Sequence, residues 1–292
     1  MREVKVAYIV WWRELRRYML DKGRMVAMFF QPLMFLIVMG YGINSVFPKD
    51  LMGFDYLKFL FPGILAMTVF MTAFMGGITV IWDREFGFLK ELMVAPVSPL
   101  WIVIGRILGS ATVATLQGLI FMAIGYVLGI HPNFAILVKI VGVTFFLGIM
   151  VGGFGIYMGS TLKTTENFMA LMNMIVQPML FLSGAFFPID NIPDWLKWFV
   201  YINPLTYAVD LMRHITASLI KVETISIPTL PQNLPPQVMG YIKPLLDMLK
   251  SITSTRPDIT HFPIHVDMGV MTAFTILFII LAAWKFYTSE GV

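Results

Sequence analysis

The sequence predicts an all-α polytopic membrane protein. Six transmembrane helices are expected, with an N-terminal amphipathic interface helix, a short cytoplasmic helix between two spans, and an external re-entrant or helical segment. Three observations carry this expectation. Hydrophobic residues make up 58% of the 292 residues and charged residues only 13%, whereas soluble domains carry about 25% charged residues. Mean hydropathy is +0.79, which does not suit a water-facing surface. Six long, mainly apolar runs lack Asp, Glu, Lys and Arg, at 25–48, 59–82, 107–137, 140–162, 167–189 and 268–284. Each is near the roughly 20 apolar residues that a helix needs to cross a bilayer core. This composition excludes an ordinary soluble enzyme and a disordered chain.

In chain order, residues 1–24 come first. Val4, Tyr8, Trp11, Leu15 and Tyr18 recur at helical spacing. Lys5, Arg13, Arg16 and Arg17 lie mostly off that face. A basic amphipathic helix with Trp and Tyr on one side lies in the headgroup plane. It serves either as a passive anchor or as an elbow that also touches a cytoplasmic partner. No short apolar core with a cleavage site appears here, so a signal peptide is not expected. Residues 25–189 follow as spans one to five. The third run should end near Ile130, because His131-Pro132-Asn133 is a turn signal. Residues 190–265 form the external segment, in which the 12-residue run 198–209 contains Asn203-Pro204 and is too short to span. Residues 266–292 hold the sixth span, completed by Val266 and a snorkelling Lys285, and the C-terminus.

Twelve Lys/Arg flank one side of these spans and three flank the short loops of the other. That bias places both termini in the cytoplasm. The net charge of +4 is read as loop charge rather than as a nucleic-acid footprint. With no Cys, disulfides and thiolate sites are excluded. Glycines cluster in spans three and four, where they permit close helix approach. Gln31, Asn44, Thr68, Thr72, Thr79, Thr112, Thr115, Gln117, Thr144, Asn173, Gln177 and Ser183 lie at membrane depth. Most are expected to bridge helices, and a few to line a path for an amphipathic substrate.

The cytoplasmic stretch 83–96 carries more information. Asp83 reads as an N-cap and Glu85 as an acid at the positive helix end. Phe86, Leu89, Leu92 and Met93 make an apolar face, and Pro96 and Pro99 stop the helix. Such a helix is too polar to enter lipid. It either lies on the membrane surface or docks in a protein groove.

No Gly-x-x-x-x-Gly-Lys-Ser/Thr, His-Glu-x-x-His or Gly-x-Ser-x-Gly occurs. His261 and His265 are separated by Pro263, which argues against one helical face. No catalytic, cofactor or metal residues are therefore expected. The charge-free runs also argue against proton-coupled carriers and intramembrane hydrolases.

Three motifs give the chain a resemblance to the ABC-2 type permease subunits of ABC transporters, which include drug- and polysaccharide-export permeases. The first is Arg84-Glu85-x-Gly87 through Leu92 to Pro96-Val97-Ser98-Pro99, similar to the family's coupling-helix loop. The second is Leu182-Ser183-Gly184 with Phe187-Pro188, Ile192-Pro193 and Trp195. The third is Asn203-Pro204-Leu205-Thr206-Tyr207-Ala208-Val209-Asp210 with Arg213. The resemblance covers roughly 1–216 and the last span. The segment 217–264 is longer than expected for small drug-export members, and Arg106 stands where the family often has Lys.

The resemblance implies a half-transporter that is not itself an enzyme. ATPase coupling would fall to Asp83, Arg84, Glu85, Phe86, Gly87, Leu89 and Leu92. Tyr8, Trp11, Leu15 and Arg16 would form the interface helix, and Asn203, Pro204, Tyr207, Asp210 and Arg213 the external re-entrant motif. The implied partners are two copies of an ABC-type ATPase subunit, a second permease chain as homodimer, and membrane lipids, with no nucleic acid. No cofactor is expected on this chain, ATP and Mg being held by the ATPase. The expected role is export of a drug-, lipid- or glycan-like substrate across the cell membrane. The alternatives are a stand-alone secondary carrier or channel, and a membrane scaffold.

Overall fold

The computed structural model describes residues 2–46, 56–88, 98–187, 189, 193–219 and 260–290, and these form helices and turns without a strand. The helices are α1 (Arg2–Leu20), α2 (Lys22–Val46), α3 (Tyr56–Phe74), α4 (Ile78–Glu85), α5 (Pro99–Val127), α6 (Phe134–Thr161), α7 (Thr165–Leu171), α8 (Gln177–Phe181), α9 (Asp194–Ile202), α10 (Pro204–Thr216) and α11 (Ile264–Glu290). One 3-10 turn, Met75–Gly77, joins α3 to α4 into a continuous rod.

Five helical stretches are long and apolar enough to cross a membrane: Met25–Ile43, Tyr56–Glu85, Pro99–Val127, Phe134–Thr161 and Ile264–Thr288. The expected fifth span at 167–189 is not among them. It is helical from Thr165 to Phe181, with a π turn at Met172–Val176 between α7 and α8. Pro178 has no N–H to donate to the carbonyl four residues back, and a widened turn just before it accommodates that loss. The chain then turns at Gly184, whose φ is +75°. This interrupted run nevertheless extends along the rod. α7 packs beside α4, while Ala185 lies against Gly63 near the start of α3.

α3 is apolar all round and buries every residue except Lys58 and Met71, as a helix at the centre of a bundle must. α5 and α6 pack against it and against each other. α2 and α11 lie outside, with 11% and 22% of their apolar windows buried against 83% for the α3–α4 rod. Their remaining apolar surface suits lipid or a second chain. The glycines of α6 form a seam with the α3–α4 joint. A Cβ on Gly155 would sit 2.4 Å from the carbonyl oxygen of Phe74, and one on Gly77 2.0 Å from that of Gly155.

Two boundaries move relative to expectation. α5 starts at Pro99, a favoured first helical residue, so Arg106 lies inside a helix rather than in a loop. α6 starts at Phe134, capped by the Asn133 side chain accepting from the Ile136 N–H at 2.8 Å. The membrane-depth polar groups also depart from expectation. Thr68, Thr115 and Thr144 donate to carbonyls of their own helices at 2.8, 2.8 and 2.9 Å, which satisfies the hydroxyl without a second helix. Thr79, Thr112 and Gln117 do bridge helices.

Val10, Val80, Ile102, Ile107, Ile156, Ala282 and Phe286 share one apolar cluster. The α1 helix, the end of α4, the start of α5 and the ends of α6 and α11 therefore meet at one end of the bundle. α10 and the start of α11 lie at the other.

Candidate functional site

At the α1 end, Asp83 is buried and ringed by arginines. Its Oδ2 accepts from Arg13 at 2.5 Å and from Arg106 at 2.6 Å, and its Oδ1 from Arg17 at 3.2 Å. Glu14 completes the cluster, 2.9 Å from Arg13 and 3.8 Å from Arg106. The spacing of Arg13 and Arg17 puts both on one side of α1, facing the last turn of α4. Burial works against the Arg13 charge, but Glu14 and Asp83 outweigh it and leave the guanidinium above its ordinary pKa. Arg13 also covers the Phe88 ring at 4.5 Å. The basic helix, the end of the rod and Phe88 just beyond it are thus one charged joint.

This geometry corrects the N-cap assignment. Asp83, Arg84 and Glu85 are the last turn of α4, not the first turn of a new helix. The helical pattern of the span runs on through Trp82, and Gly87 ends it with φ +76°, a left-handed cap that glycine adopts without steric cost. Arg84 instead serves the end of α6, donating to the carbonyls of Leu162 at 2.9 Å and Ser160 at 3.3 Å. Glu85 and Phe86 are exposed. Leu89 and Leu92 lie outside the described residues.

The interface helix is rotated from its expected face. Ala7, Val10, Glu14, Leu15 and Tyr18 are buried, while Val4 and Tyr8 are 58% and 60% exposed. The reason is close packing: a Cβ on Gly105 would meet the Ala7 carbonyl at 2.6 Å, so small residues of α1 face α5. Trp11 Nε1 donates to Thr112 at 2.9 Å and Tyr18 donates to Gln117. Arg16 is exposed. Tyr8, Trp12 and Met19 form an outward apolar face.

Between α2, α3 and the run 165–181 lies a groove of about 390 Å³. Six methionines line it, Met28, Met67, Met71, Met75, Met169 and Met172, with Gln31 and Gln177 as amides. Methionine side chains adapt to varied apolar shapes.

The Asn203–Arg213 motif is brought together on α10. Asn203 caps the helix by accepting from the Leu205 N–H at 3.0 Å, and its amide donates to the Met179 carbonyl at 2.7 Å. Pro204 follows as the first helical residue. Tyr207 donates to the Tyr201 carbonyl at 2.7 Å. Arg213 donates to Gly184 at 2.5 Å and Ala185 at 3.2 Å, and lies 4.1 Å above the Phe59 ring. Burial pulls its guanidinium down to about 10, against the opposing effect of Asp210 and Tyr56. Asp210 accepts from the backbone N–H groups of His261 and Phe262. The motif staples the turn after α8 and the start of α11 onto α3.

Several charged groups were missed by run-based reading. Arg106 and Asp267 are 1% and 0% exposed although neither belongs to a charge-free run. Buried ionisable groups therefore exist, which removes the argument drawn from their absence. His214, four residues after Asp210, was a findable signal, because that spacing shares a helix face.

A family model described as ABC-2 type transporter matches residues 6–216. The chain is 33% identical over 186 residues to a putative transport permease, ycf38, of Cyanophora paradoxa, covering 63% of this chain and 64% of the relative. It is 30% identical over 162 residues to the probable multidrug ABC transporter permease YbhR of Escherichia coli K12, covering 55% and 44%. It is 24% identical over 212 residues to the inner membrane transport permease YadH of the same strain, covering 70% and 80%. The matched region spans less than two thirds of the length of the first two relatives.

Proposed function

The chain belongs to the ABC-2 type transporter family, and from that premise we propose that it is the membrane-spanning permease subunit of an ATP-driven exporter. The observation that carries the reading is the charged joint around Asp83. A chain without a phosphate-binding loop must receive work mechanically, and that requires a rigid element at the cytoplasmic end. Arg13, Arg17 and Arg106 lock α1, α4 and α5 into such an element, which in sequence directly precedes the segment containing Leu89 and Leu92. ATP and Mg are bound by two ATPase subunits docked beneath it.

The interrupted run 165–181 serves as a sixth crossing, because it starts beside α4 and the turn that follows it reaches Gly63 and Tyr56 in the first half of α3. Six crossings put both termini on the cytoplasmic side of the cell membrane, as the Lys/Arg bias requires. A second copy of the chain closes the methionine-lined groove, one wall of which is α2, and an amphipathic drug-, lipid- or glycan-like molecule passes there. Reporter tags test the crossings. A tag at Val292 and one within 83–95 should both be cytoplasmic, and one within 228–260 external; opposite sides for Val292 and 83–95 would establish five crossings instead.

A second reading, the stand-alone carrier, draws on buried Asp210 and Asp267. Transport by the chain reconstituted without any ATPase would favour it. Transport that needs the ATPase and ATP favours the exporter.

A further inference from the structure

Asp267 stands in the first turn of α11 with no exposed surface, and neither of its carboxylate oxygens has a hydrogen-bond partner. A buried carboxylate without donors is costly unless something supplies positive charge. Among the described residues, no Lys or Arg forms an ion pair with it or with Asp210. Its neighbours are instead ligand-type groups. His214, one turn after Asp210 on α10, places Nε2 3.8 Å from Asp267 Oδ2 and 2.7 Å from the carbonyl oxygen of Phe262. One ligand atom from each of Asp210, His214 and Asp267 lies within 4.8 Å of the other two. Asp210 is held in position by the N–H groups of His261 and Phe262 at 2.7–3.0 Å, and its oxygens keep further lone pairs.

We propose that Asp210, His214 and Asp267, with the Phe262 carbonyl as a fourth donor, bind one divalent transition-metal ion of the Zn²⁺/Mn²⁺ class. Two carboxylates and a neutral imidazole offer two negative charges to the ion, with Arg213 on the same helix offsetting part of the Asp210 charge. The donor set selects the class, because an imidazole suits transition metals whereas Mg²⁺ and Ca²⁺ favour oxygen alone. Distances fit as well. Ligand atoms at about 2.0–2.2 Å from an ion stand at most about 4.4 Å apart, so closing from the present separation takes only a small side-chain adjustment. The Phe262 carbonyl can only accept, so Nε2 carries the N–H before binding. On binding that hydrogen bond breaks, and the proton moves to Nδ1 in a neutral ring or leaves to solvent from an imidazolium that already has an Nδ1–H. Access exists, because the His214 side chain is 26% exposed and lines an outer hollow with Lys139 and Met268. The ion would tie α10 to α11 and to the segment 260–263 at the external end. This proposal does not depend on the exporter reading.

The test uses the full chain, purified in detergent and stripped with a chelator. Zn²⁺, Mn²⁺ and Mg²⁺ are titrated separately, with bound metal measured by equilibrium dialysis and Tm recorded. The expected result is one Zn²⁺ or Mn²⁺ per chain, a raised Tm, and no matching effect of Mg²⁺. Asp267→Asn and His214→Gln should each weaken binding at least tenfold. Asp194→Asn, at an exposed carboxylate, should leave it unchanged. If Asp267→Asn fails to fold, His214→Gln, at a partly exposed side chain, carries the test. Absence of stoichiometric binding overturns the proposal, as does equal binding by both site variants. So does an Asp267→Asn chain that is more stable than the wild type with metal present, since the pocket would then hold a proton only.

Discussion

Asp83 and Asp267 are both buried acids on helices of the bundle, one at each end, and their surroundings differ in kind. Asp83 receives hydrogen bonds from three arginines on two helices. Asp267 receives none and faces a second carboxylate and an imidazole. A charge surrounded by fixed counter-charges is a structural joint, because breaking it leaves a buried ion unpaired. A charge without a counter-charge has a place for something the chain does not itself supply. Burial is equal in the two cases, so it is partner chemistry that separates a joint from a binding site.

The largest effect should come from breaking the joint. Asp83→Ala leaves Arg106 buried without its carboxylate, and should cost about 3–5 kcal/mol; this is read as loss of folded protein or a fall in Tm in detergent. Asp267→Asn in chelated protein should cost nothing and can raise Tm, since it replaces a buried carboxyl group that no hydrogen bond holds. Equal losses in the two variants would erase the comparison. Next comes Arg213→Ala, which unpairs the buried carbonyls of Gly184 and Ala185. An unsatisfied buried group costs about 1–3 kcal/mol, so Tm should fall, and protease cutting near 184–187 should speed up. The smallest effect is Thr112→Val. It removes the acceptor of the Trp11 N–H and should cost about 0.5–1.5 kcal/mol, with a change in Trp fluorescence that Thr68→Val does not produce.

Much of this was legible in the sequence because burial in lipid demands long apolar runs. Four of the six charge-free runs begin or end within a few residues of a described helix terminus. Asn203-Pro204 announced the start of α10, since an Asn cap and a first-turn Pro are local devices. What failed was non-local. Arg106 and Asp267 look like span boundaries when charges are taken as stops, yet partners on other helices, or an unfilled site, let them be buried. The Asp83 N-cap was wrong because Gly87, the residue that ends the helix, lies four positions later and its φ is not visible in a composition. The face of α1 was misplaced because aromatic residues suggested burial, while the packing surface offered by Gly105 and Gly109 accepts only small groups and aliphatic stems.

The central claim is that work from an ATPase enters through the joint at 83–88 and the residues that follow it in sequence. Copurification of the full chain with the proposed P-loop ATPase, together with ATPase stimulation, measures this directly when the wild type is compared with Leu89→Asp. Burying one leucine is worth about 1.5–3 kcal/mol, so docking should weaken at least tenfold, while membrane insertion and Tm of the isolated chain stay unchanged. Undiminished docking and undiminished transport in Leu89→Asp would contradict the claim.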